Sequence, residues 1–339
     1  MRFLSASEVE ALLDLDALVD AVAAAMADLS AGRASVPPRI ASLVPERDGL
    51  LAAMPAYLPS AKALTTKLVS LFPQNRDRPT HQAVICVFDP ATGTPAAVMD
   101  GRVITEARTA AGSALSARFL ARDDARTFVV IGTGAQAHAH ARALARDARV
   151  DRLVLAGRRQ DAVEALAEAV RDELSGTGPA ALRGGRRIEV SVAPSVEAAV
   201  READVVSAAT HAADPVLHRA WLRPGTHVTS VGFNSSGEGE VDVDTVRDAT
   251  LVVESRSAAF APPPTGAIEL ARAVERGIIS PDHARAEIGE LVAGTAPGRT
   301  SGDEVTLYKS VGVAAQDAAA AMLVLRAAEA RGMGTTISL

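Results

Sequence analysis

The sequence predicts an α/β protein built on a doubly wound parallel sheet, and three observations support this class. Residues 127–137 run from an apolar strand through paired glycines into a helix-forming segment. Strand and helix patterns then alternate as far as residue 253. The chain has 339 residues, more than a single core usually accommodates, so we expect a second domain. Because parallel strands need crossover helices on both faces, the alternation favours a Rossmann-type sheet.

The N-terminal third has a different pattern. Apolar residues at helical spacing predict two helices between Ser7 and Gly32. Short β-like segments between prolines and glycines follow, at residues 40–43, 50–54, 63–71 and 83–88. They indicate an antiparallel or mixed sheet, which makes this domain α+β. We expect Thr105 to cap a helix that runs to about Ala121.

The remaining elements follow from the same patterns. Helices are expected after Gly134 and at about 161–173 and 195–203, with strands at 151–156, 188–192, 204–208, 226–231 and 250–253. The Gly- and Arg-rich stretch 175–187 is expected to be an exposed excursion. A last long helix should run from Ser310 to Arg331, end at Gly332 and pack back on the N-terminal domain. The expected domains are therefore residues 1–120 with 312–339, and residues 121–311.

Composition excludes several classes of function. No apolar run is long enough to cross a bilayer, and the N-terminal segment lacks a secretory pattern. A single cysteine, Cys86, forms neither an internal disulfide nor a metal cluster. The net charge of −6, with arginines spread along the chain, argues against nucleic-acid binding. We expect a cytoplasmic protein without a metal site.

The glycine-containing segment predicts a dinucleotide site. Gly132 allows a tight turn, Gly134 lets the backbone approach a phosphate, and Ala137 is small enough to seat the helix on the sheet. Free N–H groups and the helix dipole then hold the pyrophosphate.

The end of the next strand indicates which dinucleotide binds. A chain selective for NAD normally has an acidic residue there, roughly 20 residues beyond the glycines, to bind the ribose 2′-hydroxyl. This chain has Gly157, Arg158 and Arg159 instead. Arginine suits a 2′-phosphate, so we expect NADPH or NADP to be preferred, with NADH or NAD possible. The alternative is a pair of solvated arginines.

Three cations are candidates for binding an anion. Arg108, in the first turn of the helix expected from Thr105, opposes the positive end of the helix dipole, a cost that an anion would offset together with the Thr109 hydroxyl. Lys67 lies in an otherwise apolar strand, so it either occupies a sheet edge or points into a cavity that holds an anion. Arg39 has the same ambiguity. An exposed arginine paired with a carboxylate is the alternative for Arg108.

The order of these segments resembles the ornithine cyclodeaminase/μ-crystallin family over nearly the full chain. The matching motifs are residues 38–39, 54–57, 67–75, Asp100 with 105–111, 132–137, 209–210, 231–234, 298–299 and 306–312. The resemblance implies nicotinamide-dependent chemistry at the α-carbon of amino or imino acids. It also implies a homodimer, whose N-terminal domain, completed by the C-terminal helix, carries the dimer interface and the substrate pocket.

The resemblance also assigns residues. It implies that Arg39, Lys67 and Arg108 bind the substrate carboxylate and that Val311 lines the substrate side. Together with the turn and the arginines above, the expected cofactor-binding residues are Gln82, Thr109, Gly132, Thr133, Gly134, Ala135, Gln136, Gly157, Arg158, Arg159, Thr210, Val231, Gly232 and Ser310.

One departure from the family bears on the reaction. True cyclodeaminases have a catalytic aspartate where this chain has Asn234, which cannot act as a general base. We therefore favour reduction of an α-imino acid, or oxidation of the matching amino acid, with Lys67 donating a proton or polarising the substrate and Asn234 binding its nitrogen. The first alternative is ornithine or lysine cyclodeamination with a replacement carboxylate from Glu238, Glu240 or Asp242. The second is a non-catalytic protein that binds NADPH and a small ligand.

Overall fold

The chain forms two compact units in a computed structural model that describes residues 1–232, 237–263 and 265–338. Unit 1 comprises residues 1–108 and 312–339, and unit 2 comprises residues 109–311. The sequence-based division placed the first boundary after residue 120, whereas the units divide after residue 108. In the described part of the chain, no helix combines the length and the apolar character needed to cross a bilayer.

Unit 1 contains a seven-stranded mixed sheet. Its strands are β1 (Arg2–Leu4), β2 (Ile40–Val44), β3 (Gly49–Leu58), β4 (Ala63–Leu71), β5 (His81–Phe88), β6 (Pro95–Asp100) and β15 (Thr335–Thr336). The strand order is β15-β1-β6-β5-β4-β3-β2, with β1 and β6 parallel and the other pairs antiparallel. Sequence patterns did not predict β1, β6 or β15, because β1 and β15 have only three and two residues and β6 begins at a proline.

Three helices of unit 1 are α1 (Ala6–Leu12), α2 (Leu15–Ser30) and α11 (Ala314–Arg331). Helix α11 packs against α2 and against strands β3 and β4, with its alanines buried at the contact. The prediction that this helix begins at Ser310 is wrong. Gly312 has φ +75°, a left-handed conformation that cannot continue into a right-handed helix, so the helix begins after it. Its predicted end at Gly332 is confirmed.

The helix α3 (Gly101–Leu120) also begins at a different residue from the one predicted. It follows β6 directly, and Asp100 accepts a hydrogen bond from the Val103 amide at 2.8 Å, as an N-cap does. Thr105 lies inside the helix and donates its hydroxyl proton to the Gly101 carbonyl at 2.7 Å. Arg108 is therefore two turns into α3, and the argument from the helix dipole does not apply to it.

Unit 2 contains the predicted parallel sheet. Its strands are β7 (Thr127–Ile131), β8 (Arg152–Ala156), β9 (Glu189–Val192), β10 (Val205–Ala208), β11 (His227–Ser230), β12 (Thr250–Val253), β13 (Ala284–Glu287) and β14 (Thr306–Lys309). The order is β13-β12-β14-β11-β10-β7-β8-β9, and every pair is parallel. The order reverses between β7 and β10, which confirms the doubly wound class and places a ligand crevice at the carboxyl ends of these strands.

The helices of unit 2 are mostly short. They are α4 (Ala135–Leu144), α5 (Gln160–Ser175), α6 (Val196–Glu202), α7 (Val243–Asp248), α8 (Arg256–Ala259), α9 (Ile268–Glu275) and α10 (Ile288–Val292). The core between helices and sheet consists mostly of alanine and β-branched side chains, among them Val129, Val206 and Val228, together with several leucines. Strand β14 was not predicted because polar residues, Thr306 and Lys309, stand at both of its ends although the whole strand is buried.

Candidate active site

The turn after β7 has the geometry of a pyrophosphate site. Gly132 has φ +129°, and a Cβ atom there would lie 2.5 Å from the Ala209 carbonyl oxygen, so only glycine lets the turn approach the end of β10. Gly134 is the N-cap of α4 and provides no side-chain cap. Within the described residues, the buried Oε1 of Gln136 has no hydrogen-bond partner. The first amides of α4 therefore fit an anionic group, whereas the Gln136 amide oxygen fits an N–H or O–H donor of a ligand.

The end of β8 carries the two arginines predicted to select the cofactor. A Cβ atom on Gly157 would lie 3.0 Å from Val163 Cγ2 and 3.2 Å from Thr133 Cγ2, so a larger residue there would crowd both neighbours. Arg158 and Arg159 are exposed, and neither forms an ion pair with another described residue. Two uncompensated cations thus stand where an acidic residue would select NAD.

Glu240 joins the loops that follow β10 and β11. Its carboxylate is 2% exposed and accepts hydrogen bonds from the Thr210 amide, the Thr210 hydroxyl at 2.8 Å, the Ser230 hydroxyl at 3.0 Å and the Gly232 amide at 2.6 Å. A Cβ atom on Gly232 would lie 2.2 Å from Glu240 Cδ, which explains the glycine. Thr210 and Gly232, both predicted to bind the cofactor, are therefore held by one carboxylate. Val231, which lies between β11 and Gly232, is held with them.

The loop after β14 is held by a second carboxylate. Ser310 donates its hydroxyl proton to Glu254 Oε1 at 2.8 Å, and the Val311 amide donates to Glu254 Oε2 at 3.0 Å. Glu254 is fully buried directly after β12. Sequence reasoning missed it, although a carboxylate at the end of a buried strand is itself a signal of a site.

Lys309 is a buried cation in the same unit. Its Nζ lies 2.8 Å from Glu269 Oε1 and donates to Ser230 Oγ at 3.1 Å and to the Gly232 carbonyl at 3.0 Å. Neither Lys309 nor Glu269 was predicted, because 40 positions of sequence separate residues 269 and 309 and only the parallel pairing of β14 with β11 brings Lys309 beside Ser230.

Two of the predicted substrate cations meet in unit 1. Lys67 is 2% exposed on β4, which lies between β3 and β5, so the sheet-edge alternative is wrong. Its Nζ lies 2.8 Å from Asp317 Oδ2. Arg108 is 5% exposed, so the exposed-arginine alternative is also wrong; its Nε donates to Asp317 Oδ1 at 3.0 Å and its Nη1 to Gln316 Oε1 at 2.8 Å. A carboxylate from α11, absent from the predicted site, thus links both cations.

The third cation, Arg39, approaches the same place. Its Nη2 donates to the Gly312 carbonyl at 2.8 Å. A Cβ atom on Gly312 would lie 2.8 Å from Arg108 Nη2. The guanidinium group of Arg39 therefore contacts the carbonyl of Gly312, and the guanidinium group of Arg108 lies beside its Cα. The structure therefore brings Arg39, Lys67 and Arg108 together around Asp317 and Gly312.

Positive charge exceeds negative charge in this cluster. Among the described residues, Asp317 is the one carboxylate paired with Lys67 or Arg108. Burial lowers the pKa of Lys67 to about 8; Arg108 and Arg39 lower it too, whereas Asp317 raises it. Burial raises the pKa of Asp317, but Arg108 and Lys67 outweigh that effect and hold it below its usual range. Burial, Lys67 and Arg108 lower the pKa of the nearby His81 to about 4, so His81 is neutral near pH 7 and adds no charge.

The other predicted site residues are distributed between the units. Gln82 is exposed on β5 of unit 1, where its Nε2 donates to the Pro79 carbonyl at 3.5 Å. Thr109 is buried in the part of α3 that belongs to unit 2. Asn234 lies outside the described residues. Among the described residues, no group of three or more His, Cys, Asp or Glu side chains is arranged to hold a metal ion.

Two of the three carboxylates considered as replacements for the missing aspartate have structural roles. Asp242 is the N-cap of α7 and accepts from the Thr245 amide at 2.9 Å. Glu238 forms a surface ion pair with Arg276 at 2.6 Å. The third, Glu240, already accepts the four hydrogen bonds described above.

The model of the ornithine cyclodeaminase/mu-crystallin family matches residues 1–332. The chain belongs to this family. It is 34% identical to ketimine reductase mu-crystallin from Rattus norvegicus, covering 95% of this chain and 96% of the relative. It is 33% identical to Delta(1)-pyrroline-2-carboxylate reductase from Thermococcus litoralis, solved in complex with NADH and L-proline, with a TM-score of 0.90 and coverage of 99% of this chain and 100% of that chain.

An archaeal alanine dehydrogenase dimer with bound NAD is also similar. It is 32% identical with a TM-score of 0.88, covering 100% of this chain and 99% of that chain. The chain is accordingly an NAD(P)-dependent oxidoreductase of the ornithine cyclodeaminase/mu-crystallin family.

The contact between Gly312 and Arg108 can be tested with a matched pair of variants. Gly312→Ala and Gly332→Ala both place alanine at a left-handed φ, a strain of about 1–2 kcal/mol, but a Cβ at Gly332 meets no atom within 4 Å. We expect only Gly312→Ala to displace Arg108 and to weaken binding of a small carboxylate, by about 10- to 100-fold. Calorimetric titration with small monocarboxylates measures this, and equal affinities of the two variants would contradict it.

Proposed function

We propose that this protein reduces an α-imino acid to the matching amino acid with NAD(P)H, by hydride transfer to the α-carbon. The observation that carries this proposal is the buried cluster in unit 1, where two cations share one carboxylate and a third cation, Arg39, lies beside them. Such a site favours a ligand carboxylate. Relatives of nearly equal length include a ketimine reductase and a Delta(1)-pyrroline-2-carboxylate reductase, and both names describe reduction of a C=N bond.

In this proposal, Arg39 and Arg108 hold the substrate carboxylate and so fix the orientation of the neighbouring C=N carbon. Orientation of this kind supplies ~7–11 kcal/mol of the barrier reduction, so few catalytic groups are needed. Lys67, with a pKa of about 8, is mostly protonated near neutral pH and is suited to donate a proton to the substrate nitrogen. The hydride and this proton together convert the imine into the amine.

The residues of unit 2 would hold the cofactor, which supplies the hydride when bound. The turn at Gly132 and Gly134 and the start of α4 would bind the pyrophosphate, near Thr133, Ala135 and Gln136. Glu240 and Glu254 fix the loops that present Thr210, Gly232 and Ser310. Arg158 would bind the 2′-phosphate of NADPH.

The activity is tested by mixing the purified protein and NADPH with Delta(1)-pyrroline-2-carboxylate, or with pyruvate and ammonia, and following NADPH absorbance. We expect turnover with at least one of these imino acids, and a loss of about 10- to 100-fold in kcat/KM in Arg108→Met, because a charged hydrogen-bond partner of the carboxylate is lost. Arg33→Met, which removes an arginine that pairs with Asp28 elsewhere in unit 1, is the control. Tight NADPH binding without oxidation by any imine would refute the proposal, and ammonia release from ornithine would replace it with cyclodeamination.

The preference for NADPH rests on Arg158. We expect Arg158→Ala to weaken NADPH binding about 10- to 100-fold and to leave NADH binding unchanged, because only NADPH has a 2′-phosphate for the guanidinium to bind. Arg187→Ala removes another exposed arginine, on the 175–187 excursion, and should change neither affinity. Fluorescence titration with both cofactors measures this. Tighter binding of NADH than of NADPH by the unmodified protein would contradict the preference.

A homodimer is proposed from the outer face of the unit 1 sheet. Paired residues Ile40, Ala53, Leu68 and Val84 form an apolar row across four strands. Ile40 is 71% and Val84 43% exposed, an unusual amount of apolar surface for one sheet face. A second copy of this chain is the proposed partner, since the similar alanine dehydrogenase is a dimer.

Leu68→Lys is expected to dissociate this dimer, because it places a charge inside the apolar row, between Ala53 and Val84. Leu43→Lys is the control, since Leu43 is 70% exposed on β2 but points to the opposite face. Sedimentation velocity should show one chain per particle for Leu68→Lys and two for the control. A monomeric unmodified protein would contradict the proposal.

A further inference from the structure

We infer that Asp317 is a positioning residue that fixes Arg108 and Lys67 for the substrate carboxylate and determines the charge of this site; the inference rests on the proposed function. Asp317 lies in the first turn of α11 and is 1% exposed. A carboxylate there is stabilised by the positive end of the helix dipole as well as by its two partners.

Asp317 is the point at which three elements of unit 1 are connected. Its two carboxylate oxygens divide between the cations, with Oδ2 on Lys67 of β4 and Oδ1 on Arg108 of α3. Gln316, the preceding residue of α11, accepts a second hydrogen bond from Arg108 at 2.8 Å. The guanidinium plane is therefore fixed by two adjacent side chains of one helix, which leaves the direction of its remaining N–H groups defined for a ligand.

Asp317 also determines how strongly the site attracts an anion. The charged and titratable groups that act on Asp317 or Lys67 are Arg39, His81 and Arg108; Arg108 acts on both, His81 is coupled to both, and Arg39 acts on Lys67. With Asp317 ionised, one of the two buried positive charges is compensated and the other is available to a substrate. Without it, Lys67 and Arg108 would face each other, with Arg39 beside them, and would lose the carboxylate that pairs with both.

The sign of the resulting pH effect follows from Lys67. Asp317 raises the pKa of Lys67, whose value with all neighbours present is about 8. Removing the carboxylate leaves the lowering effects of burial, Arg108 and Arg39 in place. Lys67 would then lose its proton at a lower pH, and both the attraction for the carboxylate and the proton donor would be lost in the neutral range.

The test is the pH profile of kcat/KM for reduction of Delta(1)-pyrroline-2-carboxylate by NADPH in the full-length protein, or of pyruvate with ammonia if that is the pair turned over. We expect the alkaline limb of the kcat/KM profile of Asp317→Asn to lie at least about one pH unit below that of the unmodified protein. At pH 7 we expect its kcat/KM to be about 100-fold lower, which is the effect typical of a displaced positioning group. The Kd for NADPH, measured by fluorescence, should not change.

Two further variants separate positioning from general destabilisation. Asp317→Glu keeps the charge, so its alkaline limb should stay near that of the unmodified protein while kcat/KM falls because the carboxylate is displaced. Asp28→Asn removes another buried carboxylate of unit 1, which pairs with Arg33 at 2.8 Å, and should leave the profile unchanged. If Asp317→Asn is insoluble, an unchanged kcat/KM in Asp317→Glu overturns the inference and a reduced one with normal NADPH binding supports it.

The possible failures are distinguishable. An unmodified protein that binds NADPH but turns over neither substrate overturns the proposed function, and this inference with it. Turnover by the unmodified protein, with an identical pH profile in Asp317→Asn, overturns the role of Asp317 alone.

Discussion

Two buried cations in unit 1 share one buried carboxylate, and the other features of the proposed substrate site depend on this imbalance. Burying a charge is costly unless it is paired, and Asp317 is the carboxylate that pairs with both Lys67 and Arg108. A single carboxylate leaves one positive charge uncompensated. In the proposed function, a substrate carboxylate compensates that remaining charge, which would give the site its preference for an acid.

In unit 2, buried carboxylates outnumber the buried cation described above. Glu240, Glu254 and Glu269 are buried, and Lys309 pairs with Glu269. Glu240 and Glu254 are satisfied instead by backbone amides and hydroxyls of the loops that follow the parallel strands. Carboxylates here serve as internal cross-links of loops, and the glycine at 232 exists because a carboxylate occupies the space of its side chain.

The sequence predicted those features that depend on neighbouring residues. The pattern of residues 63–71 predicted the strand that carries Lys67 but left open whether the lysine lies at a sheet edge or in a cavity, and the glycines at 132 and 134 predicted the turn into α4. The helix starts expected at Thr105 and Ser310 were wrong, since Asp100 caps the first helix and the left-handed Gly312 delays the second. Strands β13 and β14 were missed because a parallel strand need not be apolar at its ends; β13 ends at Glu287 and β14 at Lys309.

Features that depend on residues far apart in the sequence could not be predicted from local patterns. Asp317 is separated from Arg108 by 209 positions and from Lys67 by more, and nothing local distinguishes it from a first-turn acid that only stabilises a helix. The cations themselves give the missing clue, because two charges predicted to be buried require a counter-charge somewhere in the chain. A cation predicted to be buried therefore implies an acidic partner on the buried side of another element. Here that element is α11, an alanine-rich helix with one aspartate, Asp317, among its buried residues.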